Sequence, residues 1–179
     1  MKLAKTLALA ALLLPSAALA QARPRYEFGV DANVAYTMPS EGANAFSIGI
    51  PFDVRIGILN PGPLSFEPRF ALGYRSTDDR SSAIFTPGVN VLYQAGKRAL
   101  LQRGMYFTAG LALDYRRETV EDATGDDVTA SNTDPVINFG IGTRTSINQG
   151  AFRPEGYIAY GFDSEAFQIG GRFGVSFWK

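Results

Sequence analysis

From Ala45 to Ile58 the chain alternates without a break between two kinds of side chain. Phe46, Ile48, Ile50, Phe52, Val54, Ile56 and Ile58 fall on one parity, and Ser47, Gly49, Pro51, Asp53, Arg55 and Gly57 fall between them. A period of two places the first set on one face of a β-strand and the second on the other. The apolar face is bulky and continuous over about the length that a tilted strand needs to cross a bilayer. The opposite face is small, apart from one acid and one base.

The same pattern recurs along the chain and predicts eight strands. The first spans Tyr26 to Thr37, the second is the stretch just described, and the third runs from Leu64 to Arg75 after the turn signal Asn60-Pro61-Gly62-Pro63. A polar loop, Ser76 to Ser82, leads to a fourth strand carrying Phe85, Pro87, Val89, Val91 and Tyr93 on one face. The fifth alternates from Met105 to Arg116, and Ala95 to Gly104 is the connection before it. Arg117 to Asp134 reads as the longest loop, and it is acidic. A weaker sixth strand covers Pro135 to Thr145, a seventh carries Phe152 to Phe162, and the last carries Phe167 to Phe177 after a tight connection at Asp163 to Ala166. An even number of strands suits an antiparallel up-and-down barrel. Chain termini on one side then put the connections after the first, third, fifth and seventh strands on the other.

The lipid-facing set follows from volume. A soluble lipocalin-like barrel would turn the apolar set inward, but roughly forty large apolar side chains exceed what an eight-stranded interior holds. The other set is rich in Gly, Ala and Ser, which suits a narrow lumen. Aromatic residues collect at the strand ends. Tyr36, Tyr74, Phe85, Tyr115, Phe162 and Phe167 are expected near the outer rim, with Tyr26, Phe66, Tyr93, Phe107, Phe152 and Phe177 near the other. Two such girdles belong where amphipathic rings meet lipid head groups.

Composition adds a compartment. Residues 1–20 read as a secretory signal peptide, with Lys2 and Lys5, an apolar run from Leu7 to Leu14 and the small-x-small site Ala18-Leu19-Ala20. The mature domain is then 21–179. The whole chain balances 17 basic against 17 acidic residues, and loss of the two lysines leaves 15 against 17. That excludes a strong nucleic-acid footprint. The chain has no cysteine and no histidine, so it offers no disulfide framework and lacks the usual general base and zinc ligand.

These features together resemble the OmpA/OmpX-type family of small eight-stranded outer-membrane barrels. The resemblance rests on the signal peptide, the eight alternating segments and the last strand, Gly171-Arg172-Phe173-Gly174-Val175-Ser176-Phe177. That ending resembles the family's signal for insertion by the barrel-assembly machinery, although Trp178 and Lys179 follow it here. The resemblance implies an outer-membrane location, contact with lipid and lipopolysaccharide, and no cofactor.

The inward sets carry thirteen charged residues: Glu27, Asp31, Asp53, Glu67, Asp114 and Glu155, with Arg55, Arg69, Arg75, Arg116, Arg144, Arg153 and Arg172. Every base is arginine, whose planar guanidinium satisfies both oxygens of a carboxylate. An unpaired charge in a narrow lumen would be very costly. The expectation is a salt-bridged, occluded lumen in a membrane-anchored structural or surface-interaction protein. The alternative is a narrow passive porin-like channel, and a periplasmic carrier ranks below both. Carboxylates that alternate with arginine stay ionised and are poor proton donors, so no enzyme is expected. A hairpin centred near Pro61 would set Asp53 opposite Arg69 and Arg55 opposite Glu67. Gly125-Asp126-Asp127 hints at a divalent cation but lacks full calcium-loop spacing. An extracellular ligand at the loops is the remaining expected partner.

Overall fold

The computed structural model describes residues 25–48, 52–59, 62–77, 80–94, 103–121, 127–147 and 150–178. The expected signal peptide, most of the connection at 95–104 and Asp126 therefore lie outside the described residues. The strands are β1 (Arg25–Met38), β2 (Ala45–Ile48), β3 (Phe52–Leu59), β4 (Leu64–Thr77), β5 (Arg80–Gln94), β6 (Arg103–Glu121), β7 (Asp127–Ile147), β8 (Gly150–Gly161) and β9 (Ala166–Trp178). Each pairs antiparallel with its neighbour, and β1 also pairs with β9 from Glu27↔Trp178 to Met38↔Phe167. That last ladder closes the sheet into a barrel and leaves no edge in the closed part.

Closure inverts the usual burial. The largest fully buried side chains include Arg55, Glu27 and Glu67, whereas Phe28, Phe52, Leu72, Phe139 and Phe173 are exposed on the outer face. In β3 the apolar residues Phe52 and Ile56 face out while Asp53, Arg55 and Gly57 are buried, as the alternation requires. The aromatic rims form by register. Phe85 lies beside Tyr115 at one end, and Tyr93 lies beside Phe107 at the other.

Four expectations need correction. The second strand does not keep one register: β2 and β3 both pair with β1, but in registers two residues apart (Val34↔Ile48 against Asp31↔Asp53). Pro51, which has no N–H to give to a ladder, falls between them. A shift of two keeps every side chain on its face. The β3–β4 register is also two residues from the expected one, so Asp53 faces Ala71 and Arg55 faces Arg69.

The polar stretch Ser76 to Ser82 is largely strand, since β4 and β5 stay paired to Thr77↔Arg80. Most of Arg117 to Asp134 is strand as well, because β6 and β7 pair all the way to Glu121↔Asp127. Both stretches lack an apolar parity because they stand beyond the lipid belt. Ladder hydrogen bonds need no particular side chain, so pairing continues where the pattern stops.

Past Asp114↔Asp134 the outer ends of β4, β5, β6 and β7 form a sheet that stands above the barrel. The β7–β8 ladder begins only at Val136↔Gly161, and the Phe162 amide donates to the Pro135 carbonyl at 3.0 Å, so β7 from Asp127 to Asp134 is an edge without a strand partner on that side among the described residues. From Tyr115 to Glu121 β6 adds seven residues, or about 23 Å of strand. Thr119 and Thr129 hydroxyls meet at 3.0 Å across this hairpin.

Candidate functional site

The inward parity converges on the lumen, which has two unlike halves. At the inner end, on the side of the chain termini, Leu59, Leu92 and Tyr106 are buried against one another. Gln94, Ser65, Ala151 and Ser176 are buried at the same level. Leu59 and Leu92 sit on the inward parity but are apolar, which is why a reading of charge and size passed over them. The arrangement of Tyr106 was legible only in part: Gly142 faces it across the β6–β7 ladder, and a Cβ there would collide with the Tyr106 ring.

Above this apolar closure lies one continuous ionic network. Glu27 accepts from Arg144 Nη2, and Arg153 Nη1 lies 3.9 Å from the other Glu27 oxygen. Arg153 also donates to Glu67, reaches the Tyr106 hydroxyl at 3.3 Å from Nε, and lies 4.8 Å from the centre of that ring. Arg55 bridges Glu67 at 3.7 Å and Asp31 at 3.0 Å. Arg69 joins Asp31 at 3.3 Å, Asp53 at 2.7 Å and Glu155 at 3.9 Å. Arg172 ends the chain, 2.8 Å from Glu155 and 3.5 Å from Asp53, with its guanidinium 3.9 Å from the centre of the Tyr157 ring.

Ten of the thirteen expected charges are thus joined, five carboxylates (Glu27, Asp31, Asp53, Glu67, Glu155) and five guanidiniums (Arg55, Arg69, Arg144, Arg153, Arg172). The Asp53–Arg69 contact survives the changed register because both side chains reach diagonally across the ladder. The balance of signs lets ten ions share a space that would tolerate none of them alone. Glycine makes room for the larger heads: a Cβ at Gly29 would sit 2.6 Å from Arg55 Nε.

The other three do not join. Asp114 and Arg116 form their own pair at the mouth, 2.9 Å apart, with Thr86 donating to Asp114 at 3.0 Å and Arg116 mostly exposed. Arg116 stands at the mouth of the lumen, above the network, where it reaches Asp114 and, among the described residues, no other carboxylate of the thirteen. Arg75 lies in β4 opposite Ser82, and its side chain is outside the described residues.

The outer half of the lumen is open. A cavity of about 260 Å³ extends from Arg69, Asp53 and Arg172 at its floor to Arg116 and Gln168 near the mouth. Ala71, Gly88, Ala112 and Ala159 line its walls. The occlusion expected along the whole lumen is therefore confined to its inner half, because small residues replace the large ions further out. On one wall the Tyr157 hydroxyl lies 2.9 Å from Asn33 Oδ1 and 3.1 Å from Gln168 Oε1, and Gln168 donates to Thr37 at 3.0 Å.

Asp134, grouped by sequence with the acidic loop, has a structural role at the rim. It accepts the Asp163 amide at 2.7 Å and the Ser164 hydroxyl, and so holds the β8–β9 turn in which Glu165 takes a positive φ of 47°. Among the described residues no group of three or more acidic side chains is arranged to hold a metal ion.

A closed eight-strand barrel with charges inside and a belt of aliphatic and aromatic side chains outside has close structural counterparts. The attachment invasion locus protein Ail of Yersinia pestis superposes with a TM-score of 0.60 at 8% identity, over 88% of this chain and 99% of that one. The fold is that of a small outer-membrane β-barrel. Ail crystallised with the heparin analogue sucrose octasulfate matches with a TM-score of 0.64 at 7% identity, over 88% of this chain and 99% of that one. Neisserial surface protein A matches with a TM-score of 0.55 at 16% identity, over 85% of this chain and 96% of that one. A major outer-membrane protein of Thermus thermophilus matches with a TM-score of 0.56 at 11% identity, over 86% of this chain and 99% of that one. No protein-family model and no curated protein matches the sequence.

Proposed function

We propose that this protein is an outer-membrane anchor that presents a surface-interaction sheet to the outside, exported by a signal peptide at residues 1–20 and inserted by the barrel-assembly machinery. Lipid and lipopolysaccharide contact its aromatic belt. The observation that carries the reading is the sheet formed by the outer ends of β4 to β7, with its unpaired β7 edge. An unpaired edge is a template for another strand, and native proteins cover or blunt edges that have no partner. Val120 and Val128 face each other near the tip and are exposed, so the sheet also offers apolar surface outside the lipid belt. In Yersinia pestis the same fold belongs to an attachment invasion locus protein.

The lumen supports an anchor over a channel. An ion crossing it would have to part a ten-member network and the Leu59–Leu92–Tyr106 closure beneath it. Each broken buried pair costs about 3–5 kcal/mol. Catalysis finds no support there either, since each carboxylate of the network, and Asp114, lies against at least one guanidinium.

Two measurements test the reading. The refolded barrel should give no steady conductance in a planar bilayer, and large stable single-channel steps would replace the anchor with the porin-like alternative. Removing 117–131 should leave membrane insertion intact and reduce adhesion of cells displaying the protein to any surface that the intact protein lets them bind. Unchanged adhesion would refute the role given to the sheet.

A further inference from the structure

The outer half of the lumen contains polar groups that the fold leaves unused. Asn90 and Asn138 are 2% and 5% exposed and line the cavity. They flank Gly110 in the register, as Asn90↔Gly110 on one side and Gly110↔Asn138 on the other. Both lean over that glycine: a Cβ there would collide with Asn90 Oδ1 and lie 2.9 Å from Asn138 Nδ2. Asn90 Nδ2 and Asn138 Oδ1 are buried with no hydrogen-bond partner. Each asparagine of this wall therefore has an amide atom to spare, a donor on Asn90 and an acceptor on Asn138. Buried polar groups are costly to leave unsatisfied, and a ligand in the cavity that bonds to both would remove that cost.

We propose that this vestibule is a blind binding site, open to the outside, for a single neutral sugar ring. Charge argues for neutrality. The floor belongs to a network of five carboxylates and five guanidiniums, and Asp114 is matched by Arg116, so neither sign is left over to select an ion. What remains is amide and hydroxyl chemistry: the two asparagines on one wall, with Asn33, Gln168 and Thr37 on the other. Adjacent sugar hydroxyls each donate and accept, which matches a paired amide donor and acceptor. Ile84 and Val136, both on the inward parity, line the same cavity and offer apolar surface to the C–H face of a ring. The cavity, about 260 Å³, lies just below the range of sites for drug-sized ligands and suits one ring. Its floor is the ionic network, so a ligand enters and leaves by the mouth and does not cross the membrane. The site is separate from the projecting sheet, and either can fail without the other.

The test is calorimetric titration of the refolded full barrel in a phosphocholine detergent, which has no sugar head group. Glucose, galactose and N-acetylglucosamine are compared with glucuronate and with glycerol. Saturable binding of at least one neutral sugar is expected, with glucuronate and glycerol weaker. Asn90→Leu with Asn138→Leu should weaken it about tenfold or more, the loss of at least one hydrogen bond to the ring. Ala112→Phe, which fills the cavity and leaves the amides in place, should abolish it. Gly156→Ala should not change it, since a Cβ there meets nothing within 4 Å. Circular dichroism confirms that each variant is folded. Absence of saturable binding to every neutral sugar, preference for glucuronate, or unchanged binding in both the paired-leucine and the phenylalanine variants would overturn the proposal.

Discussion

Arg144→Met is the most direct test of how the lumen is held. Glu27 is 2% exposed and takes its one direct hydrogen bond from Arg144. Its other oxygen accepts none, and the remaining guanidinium, that of Arg153, stands 3.9 Å away. The substitution leaves a buried carboxylate with only that longer contact. Breaking a buried pair by removing one partner costs about 3–5 kcal/mol. The residual attraction of Arg153 argues for the lower end, about 3 kcal/mol. That is a large fraction of the roughly 5–15 kcal/mol by which a domain is stable. Urea unfolding in lipid vesicles, followed by circular dichroism, reads the change directly as a shift in midpoint at constant slope. Arg144→Met combined with Glu27→Met should recover most of the loss, because removing both charges removes the unpaired ion. A single variant within about 0.5 kcal/mol of the parent, the usual size of a surface substitution, would refute the reasoning. So would a double variant less stable than the single one.

Three further outcomes follow from the same structure. Gly29→Ala should push the Arg55 guanidinium off Asp31 and cost about 1–3 kcal/mol by overpacking in the same unfolding assay. Asp134→Ala should free the β8–β9 turn, cost about 1–3 kcal/mol by orphaning the Asp163 amide, and raise hydrogen exchange there without changing the rest of the barrel. N-terminal sequencing of protein from the outer-membrane fraction should begin at Gln21, and a mature chain that keeps Lys2 and Lys5 would refute the assignment of the signal peptide.

The strands and their faces were legible in the sequence because lipid leaves little freedom. Every residue in the bilayer must face either hydrocarbon or a narrow lumen, and the backbone must pair on both sides. Phe28, Phe52, Phe139 and Phe173 therefore announce the outer face, and Glu27, Arg55, Glu67 and Arg153 the inner one, from parity alone. Even the two-residue error in the β3–β4 register left Asp53 on Arg69, because a shift of two cannot change the face.

Where the bilayer ends, that constraint ends too. Ser76 to Ser82 and Arg117 to Asp134 carry no alternation, and only backbone pairing made most of them strand. Which charges meet was likewise a matter of three dimensions. Arg144 and Glu27 are 117 residues apart, and only closure of β1 onto β9 brings β7 and β1 to face each other across the lumen. Closure also decided that the network fills only the inner half, and that Arg116 stands at the mouth with Asp114. The depth at which a side chain lies depends on strand stagger around the whole barrel, which no single segment of sequence contains.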